Sequence, residues 1–170
     1  LTRYALRANN IDPAKVTIIP AGGSSARVAA MEAGQLDVNA LIPPAKYVAA
    51  ERGFKKILSQ KDLAEDYPYE VLSPSTETLA KSPNAIKAML RAFAKGAELA
   101  KSNRTRAIAE LKTRLGGEGK YAAMSYDEVI KDIHADGRLP SKAGMKVFWD
   151  LVIMSGTNSE PPPEDRWLDR

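Results

Sequence analysis

The 170-residue chain is 44% hydrophobic and 27% charged, the composition of an ordinary globular protein with length for one sizeable core or parts of two smaller ones. Lys and Arg exceed Asp and Glu by 25 − 21 = 4, and bases interleave with acids, as in Glu51-Arg52 and Lys131-Asp132, so no clustered basic stripe points to nucleic acid. The lack of Cys excludes disulfides and thiolate metal sites, and no apolar run has the length of a membrane span.

Leu1 is not an initiator Met, and residues 1–10 already read as an amphipathic helix with no cap before it. The expectation is a fragment whose upstream part, any targeting segment included, lies outside the chain. Asn9-Asn10 suits a left-handed stop, and Asp12-Pro13 a turn. Residues 16–19 (Val-Thr-Ile-Ile) are β-branched and bounded by turn residues, the pattern of a short buried strand. Pro20-Ala21-Gly22-Gly23 breaks it, and Ser24 or Ser25 is placed to cap a helix over 26–33 that Gly34 ends. The apolar run 36–42 reads as a second strand, which makes 16–44 a βαβ unit with a parallel pair. A short helix over 45–52 comes next, with Pro43 or Pro44 at its first turn and Gly53 at its end, and then a strand over 54–58. This rhythm predicts an α/β fold class.

Beyond residue 58 the composition shifts. Residues 67–73 (Tyr-Pro-Tyr-Glu-Val-Leu-Ser) read as extended, and the chain after them as nearly all helical. Thr76 opens a short helix, and Ser82-Pro83 caps and starts a long one to about Lys101. Its Ile86, Met89, Leu90, Phe93, Ala97 and Ala100 recur at helical spacing. Asn103 caps the next helix, which Gly116-Gly117 ends. Ser125 and Glu128 have the spacing of a capping box. Pro140 opens the last long helix, Gly156 stops it, and a proline run leads to the tail with Trp167 and Leu168.

The strand–helix junction Gly22-Gly23-Ser24-Ser25 is the first candidate site. Free backbone N–H groups and the helix dipole there favour a carboxylate, sulfonate or phosphate. No Gly-Lys-Ser/Thr comes after it and the dinucleotide spacing is absent, so it is neither kind of nucleotide loop; a tight turn that binds nothing is the competing reading. In open α/β sheets ligands sit beyond the carboxyl ends of strands, which adds Ile42, Pro43 and Pro44. Arg27 either pairs with an anion or faces water, and Tyr47 offers a ring and a hydroxyl. Asp37 has no partner for base chemistry near it in sequence. His134, the single histidine, has no second His or Cys for a zinc set and reads as structural, near a helix C-terminus. Phe148, Trp149 and the Met residues fall at core spacing. No catalytic residue, metal site or cofactor is assigned.

Taken together, Leu1 to Leu6, Ile11-Asp12-Pro13, Gly22-Gly23-Ser24, the phrase from Arg27 to Asp37 (Arg-Val-Ala-Ala-Met-Glu-Ala-Gly-Gln-Leu-Asp) and Pro43-Pro44 resemble the nitrate/sulfonate/taurine-type substrate-binding proteins of ABC transporters. That group also includes the NMT1/THI5-like proteins. The phrase Ala-Ala-x-x-Ala-Gly-Gln-x-Asp is the most specific piece, and the run from Ser82 to Phe93 is similar to the family's long helix. The resemblance corresponds to the C-terminal half or so of such a protein.

The resemblance implies a partial periplasmic-binding-protein-like fold of type 2. Residues 1–66 would be a βαβ-rich portion of the second lobe, 67–74 the crossing or hinge segment, and 75–170 a helical C-terminal portion of the first lobe. It implies a solute-binding component of an importer, not an enzyme, that captures a small organic solute, an anion among the candidates, by two-lobe closure. Its partners would be that small-molecule ligand and an ABC transporter permease, with no nucleic acid and no direct membrane insertion by this chain. The location would be periplasmic or extracytoplasmic. By position, Gly22, Gly23, Ser24, Ser25, Ile42, Pro43 and Pro44 would contact the ligand, with the opposing half of the cleft outside the chain. Two alternatives share the scaffold: a pyrimidine-forming NMT1/THI5-like enzyme, and the effector-binding domain of a transcriptional regulator.

Overall fold

The computed structural model describes residues 1–63, 67–68, 70–134, 136 and 141–164. Its α-helices are α1 (Thr2–Ala8), α2 (Ser24–Glu32), α3 (Ala45–Glu51), α4 (Gln60–Leu63), α5 (Thr76–Lys81), α6 (Pro83–Ser102), α7 (Arg104–Leu115), α8 (Ala122–Val129) and α9 (Lys142–Met154). Short 3-10 turns cover Pro13–Lys15, Gly116–Tyr121 and Ile130–Asp132. Tyr69 of the expected crossing segment, Pro140 and the tail with Trp167 and Leu168 lie outside the described residues.

Among the described residues there is no strand, which overturns the α/β fold class, its βαβ unit and with them the βαβ-rich lobe portion of a type 2 periplasmic-binding-protein-like fold. The stretches 16–19, 36–42 and 54–58 carry no regular structure. A strand is stabilised by its neighbours, through ladder hydrogen bonds and a covered face, and β-branched content marks only a fit to such a surface. These stretches have no ladder, and only single side chains of theirs, such as Leu41 and Phe54, are covered. Val16, Ile18 and Ile19 are 38%, 37% and 52% exposed, and Val38 and Ile57 reach 66% and 78%. The first stretch also belongs to a different compact unit from the second, since the boundary between the two units falls between Ile19 and Pro20.

Local helix punctuation, by contrast, obeys the sequence. α2 ends at Ala33 with Gly34 at φ +69°, where the Gly34 N–H reaches the Met31 carbonyl at 3.0 Å and Gln35 N–H the Ala30 carbonyl at 2.9 Å. α3 repeats this pair of bonds around Gly53 at φ +88°. Both are Schellman closures that need a left-handed residue, which a side chain on Cβ disfavours. Asn10 fills the same position after α1 at φ 58°. Side-chain caps start other helices: Ser75 for α5, Asn103 for α7 and Ser141 for α9, each accepting from the backbone N–H three residues on.

Two expected helix starts differ in the structure. α2 begins at Ser24 behind Gly23, so neither serine is the cap. Ser125 is interior to α8, which starts at Ala122 out of the preceding 3-10 turn; the expected capping box is therefore not formed.

One compact unit comprises Leu1–Ile19, Ile57–Val71 and Leu139–Arg170. Within it Tyr4, Arg7 and Ala8 of α1 and Asp150, Ile153 and Met154 of α9 line an open groove of about 450 Å³. Phe148 meets Trp149 edge to face, with ring centroids 5.1 Å apart.

The other unit comprises Pro20–Lys56 and Leu72–Arg138. Its first cluster packs α2 on α3 through Val28, Ala45 and Ala49, with Leu41, Val48 and Phe54 around them. Its second lies where α7, the Gly116–Tyr121 turn and α8 meet, and buries Tyr121, Ala122 and Tyr126. Gly119 lets the turn approach α7 closely, since a Cβ would sit 3.1 Å from the Lys112 carbonyl oxygen. Tyr126 Oη donates to the Ala100 carbonyl at 2.7 Å, which ties α8 to the end of α6. The apolar stripe of α6 stays open, with Met89, Leu90 and Phe93 at 38%, 46% and 58% exposure.

Candidate functional site

The seven residues singled out in the sequence fall at two helix N-termini. Gly22, at φ +72°, turns the chain into α2, and Gly23 is its N-cap. Glycine has no side chain to accept from the first turn, so α2 opens without a side-chain cap. Ser24 and Ser25 are its first two residues. Ile42, Pro43 and Pro44 lead into α3, with Pro44 at the N-cap, a cis peptide between the prolines, and the Ile42 carbonyl accepting from Lys46 N–H at 3.2 Å.

Arg27 joins the two places. Helical spacing puts it three residues past Ser24, on the same face, and its Nη2 donates to Ser24 Oγ at 3.3 Å. Its Nη1 donates to the Ala40 carbonyl at 2.7 Å, two residues before Ile42. One guanidinium therefore touches both the α2 entrance and the approach to α3. It adds a positive charge beside an uncapped helix N-terminus, where orphan N–H groups and the dipole already favour an anion.

The far side of the α3 entrance is held by α8. Glu128 Oε1 accepts from Lys46 Nζ, and Glu128 Oε2 from Tyr47 Oη, which also donates to the Met124 carbonyl at 3.1 Å. The Tyr47 ring stacks on Tyr121 at 6.0 Å and 26°. Burial first, then the hydrogen bond to Glu128 and its charge, push the Tyr47 phenol well above its ordinary value. Burial pushes the Glu128 carboxyl up, but the bonds from Lys46 and Tyr47 outweigh it and leave the group below its ordinary value. One turn further on, Lys120 Nζ donates to Glu51 at 2.6 Å, and Arg52 pairs with Glu32. Val48, Glu51, Arg52, Gly117, Lys120 and Tyr121 are among the residues lining a shallow cleft there of about 210 Å³.

Sequence reasoning weighed Arg27 and Tyr47, gave no role to Lys46, and read Glu128 only as part of a capping box with Ser125. Lys46 stands two positions after Pro44, while Glu128 is 82 residues from Lys46, beyond any local signal. Asp37 is exposed and stands apart from these bonds. His134 is exposed beyond the Ile130–Asp132 turn. Among the described residues no three His, Cys, Asp or Glu side chains are grouped to hold a metal ion.

The model of the NMT1-like family matches residues 1–113. The chain belongs to the NMT1-like family. No curated protein and no solved structure matches it. The family stretch of this NMT1-like chain holds α2, α3 and the Arg27 bridge, whereas Tyr121, Met124 and Glu128 lie beyond it. Among the described residues no helix is long and apolar enough to cross a membrane.

Proposed function

We propose that this NMT1-like chain belongs to the solute-binding component of an ABC importer. On this reading it is not an enzyme: it captures a small anionic organic solute by closure of two lobes and presents it to a membrane permease, in the periplasm or another extracytoplasmic space. The solute contacts would come from Gly22, Gly23, Ser24 and Ser25 at the α2 entrance and from Ile42, Pro43 and Pro44 at the α3 entrance. The carrying observation is the uncapped first turn of α2 with Arg27 beside it, inside the stretch that matches the family. Backbone N–H groups and a guanidinium suit an anion held by hydrogen bonds and released unchanged.

The test is a thermal-shift titration of the protein carrying both lobes of the cleft with sodium nitrate, taurine and methanesulfonate against sodium chloride, with each solute assayed for turnover. A solute at about ten times its Kd adds about 1.4 kcal/mol to stability, read as a rise in Tm of a few degrees. Replacing Ser25 with Glu should abolish the rise, since a carboxylate would occupy the same dipole. Consumption of a solute would move the assignment to the biosynthetic branch of the family. A flat response to every solute would overturn the binding reading.

A further inference from the structure

The approach to α3 is pinned on both flanks by side chains remote in sequence. Arg27 holds the Ala40 carbonyl on one side. On the other, a single carboxylate, Glu128, takes a hydrogen bond from each of the two residues after Ala45, the first residue of α3. Between these anchors lie Ile42, Pro43 and Pro44. Neither proline carries an N–H, so the loop's own backbone bonds are those its Ile42 and Pro44 carbonyls accept from Lys46, Tyr47 and Val48 of α3. Those bonds tie the loop to the first turn of α3, and Arg27 and Glu128 fix that turn and the approach to it from outside.

We propose that Glu128 is a positioning residue for the loop of Ile42, Pro43 and Pro44, acting through Lys46 and Tyr47. The clamp has two parts. The carboxylate fixes where the first turn of α3 points, and Tyr121 backs the Tyr47 ring so that the phenol meets Glu128 in one orientation. The carboxylate also engages the Lys46 ammonium, while Arg27 stands at the α2 entrance with its bond to Ser24. A pair one-third exposed is a modest tether on its own; the phenol shared with the Met124 carbonyl adds to it. Glu128 lies outside the stretch that defines the family, so the loop's support comes from the part of the chain the family model leaves free. That the loop meets a solute rests on the function proposed above; that Glu128 shapes the loop does not.

Amide hydrogen exchange over residues 38–48 in the whole chain separates the two. Glu128→Gln should raise exchange at Lys46, Tyr47 and Val48 about threefold to tenfold while exchange over α6 stays as it was. Tyr47→Phe should give part of that rise. The reversed pair Lys46→Glu with Glu128→Lys should recover protection that Glu128→Lys alone loses, a rescue that a general loss of stability would not give. Unchanged exchange at the start of α3 in Glu128→Gln, or no rescue by the reversed pair, would overturn the proposal. Thermal shift of the protein carrying both lobes with taurine and nitrate completes the set. A wild type that ignores both solutes, while Glu128→Gln still loosens the loop, supports the clamp and removes the solute. A solute response that weakens at least threefold in Glu128→Gln and returns in the reversed pair supports both.

Discussion

Arg27 reaches across thirteen positions of sequence to the Ala40 carbonyl, and the bond of 2.7 Å links α2 to the approach to α3. Its consequence for stability is direct. Arg27→Met keeps the aliphatic stem but removes both donors, and is expected to cost about 1 kcal/mol, read as a lower midpoint in urea with an unchanged slope. A midpoint equal to the wild type's would show the link to be dispensable.

Gly34 and Gly53 close α2 and α3 in the left-handed region, and nothing stands within 4 Å of where a Cβ would be. Replacement by Ala is therefore free of clashes, and its cost is conformational alone, about 1–2 kcal/mol at each position. Asn at either position should cost less than Ala, as Asn10 already serves after α1. Equal melting points for the Ala and Asn variants would contradict this account.

Ser125 is 6% exposed, and its Oγ has no hydrogen-bond partner among the described residues. A hydroxyl taken out of water without compensation costs free energy that a methyl group does not. Ser125→Ala is accordingly expected to stabilise by about 1 kcal/mol, a rise in thermal midpoint detectable by circular dichroism. A fall of similar size would mean that the hydroxyl is satisfied.

The clamp of Tyr47 on Glu128 carries a pH signature at each end. The Glu128 carboxyl is held below its ordinary 4.5, so its contribution is present above that pH and is lost as pH falls beneath it. The Tyr47 phenol is raised above its ordinary 10.0, so its contribution is complete below that pH and is lost as pH rises beyond it. The difference in melting temperature between wild type and Tyr47→Phe should be level across the neutral range and shrink in strong alkali. A difference that persists unchanged into strong alkali would rule out the raised phenol.

The features legible in the residues alone were local. Gly34, Gly53 and Asn103 announced helix ends because a left-handed turn or a side-chain cap depends on a few adjacent positions. The stretch 16–19 misled because β-branched residues report a preference that only a partner strand can realise, and Val16 and Ile19 have none among the described residues. Ser125 with Glu128 misled because the glycine-rich turn before them is itself helical and shifts the start of α8 to Ala122. At the candidate site, Gly22, Gly23 and Ser24 were legible as a helix entrance. The bond from Arg27 to Ala40 and the clamp by Glu128 were not, since a residue's neighbours in sequence carry no record of a partner 13 or 82 positions away.

The same separation orders events during synthesis. α3 leaves the ribosome long before Glu128 has been added to the chain, and the segment Ile57–Val71 between them is committed to a different compact unit. Closing a loop of that size costs entropy before any contact rewards it. The nascent α3 therefore waits, with Lys46 and Tyr47 in water, and the loop ahead of it takes its final shape only after α8 has emerged. A ribosome stalled before Glu128 would hold a chain whose α2–α3 cluster is assembled but whose Pro43-Pro44 turn is still unanchored on one side.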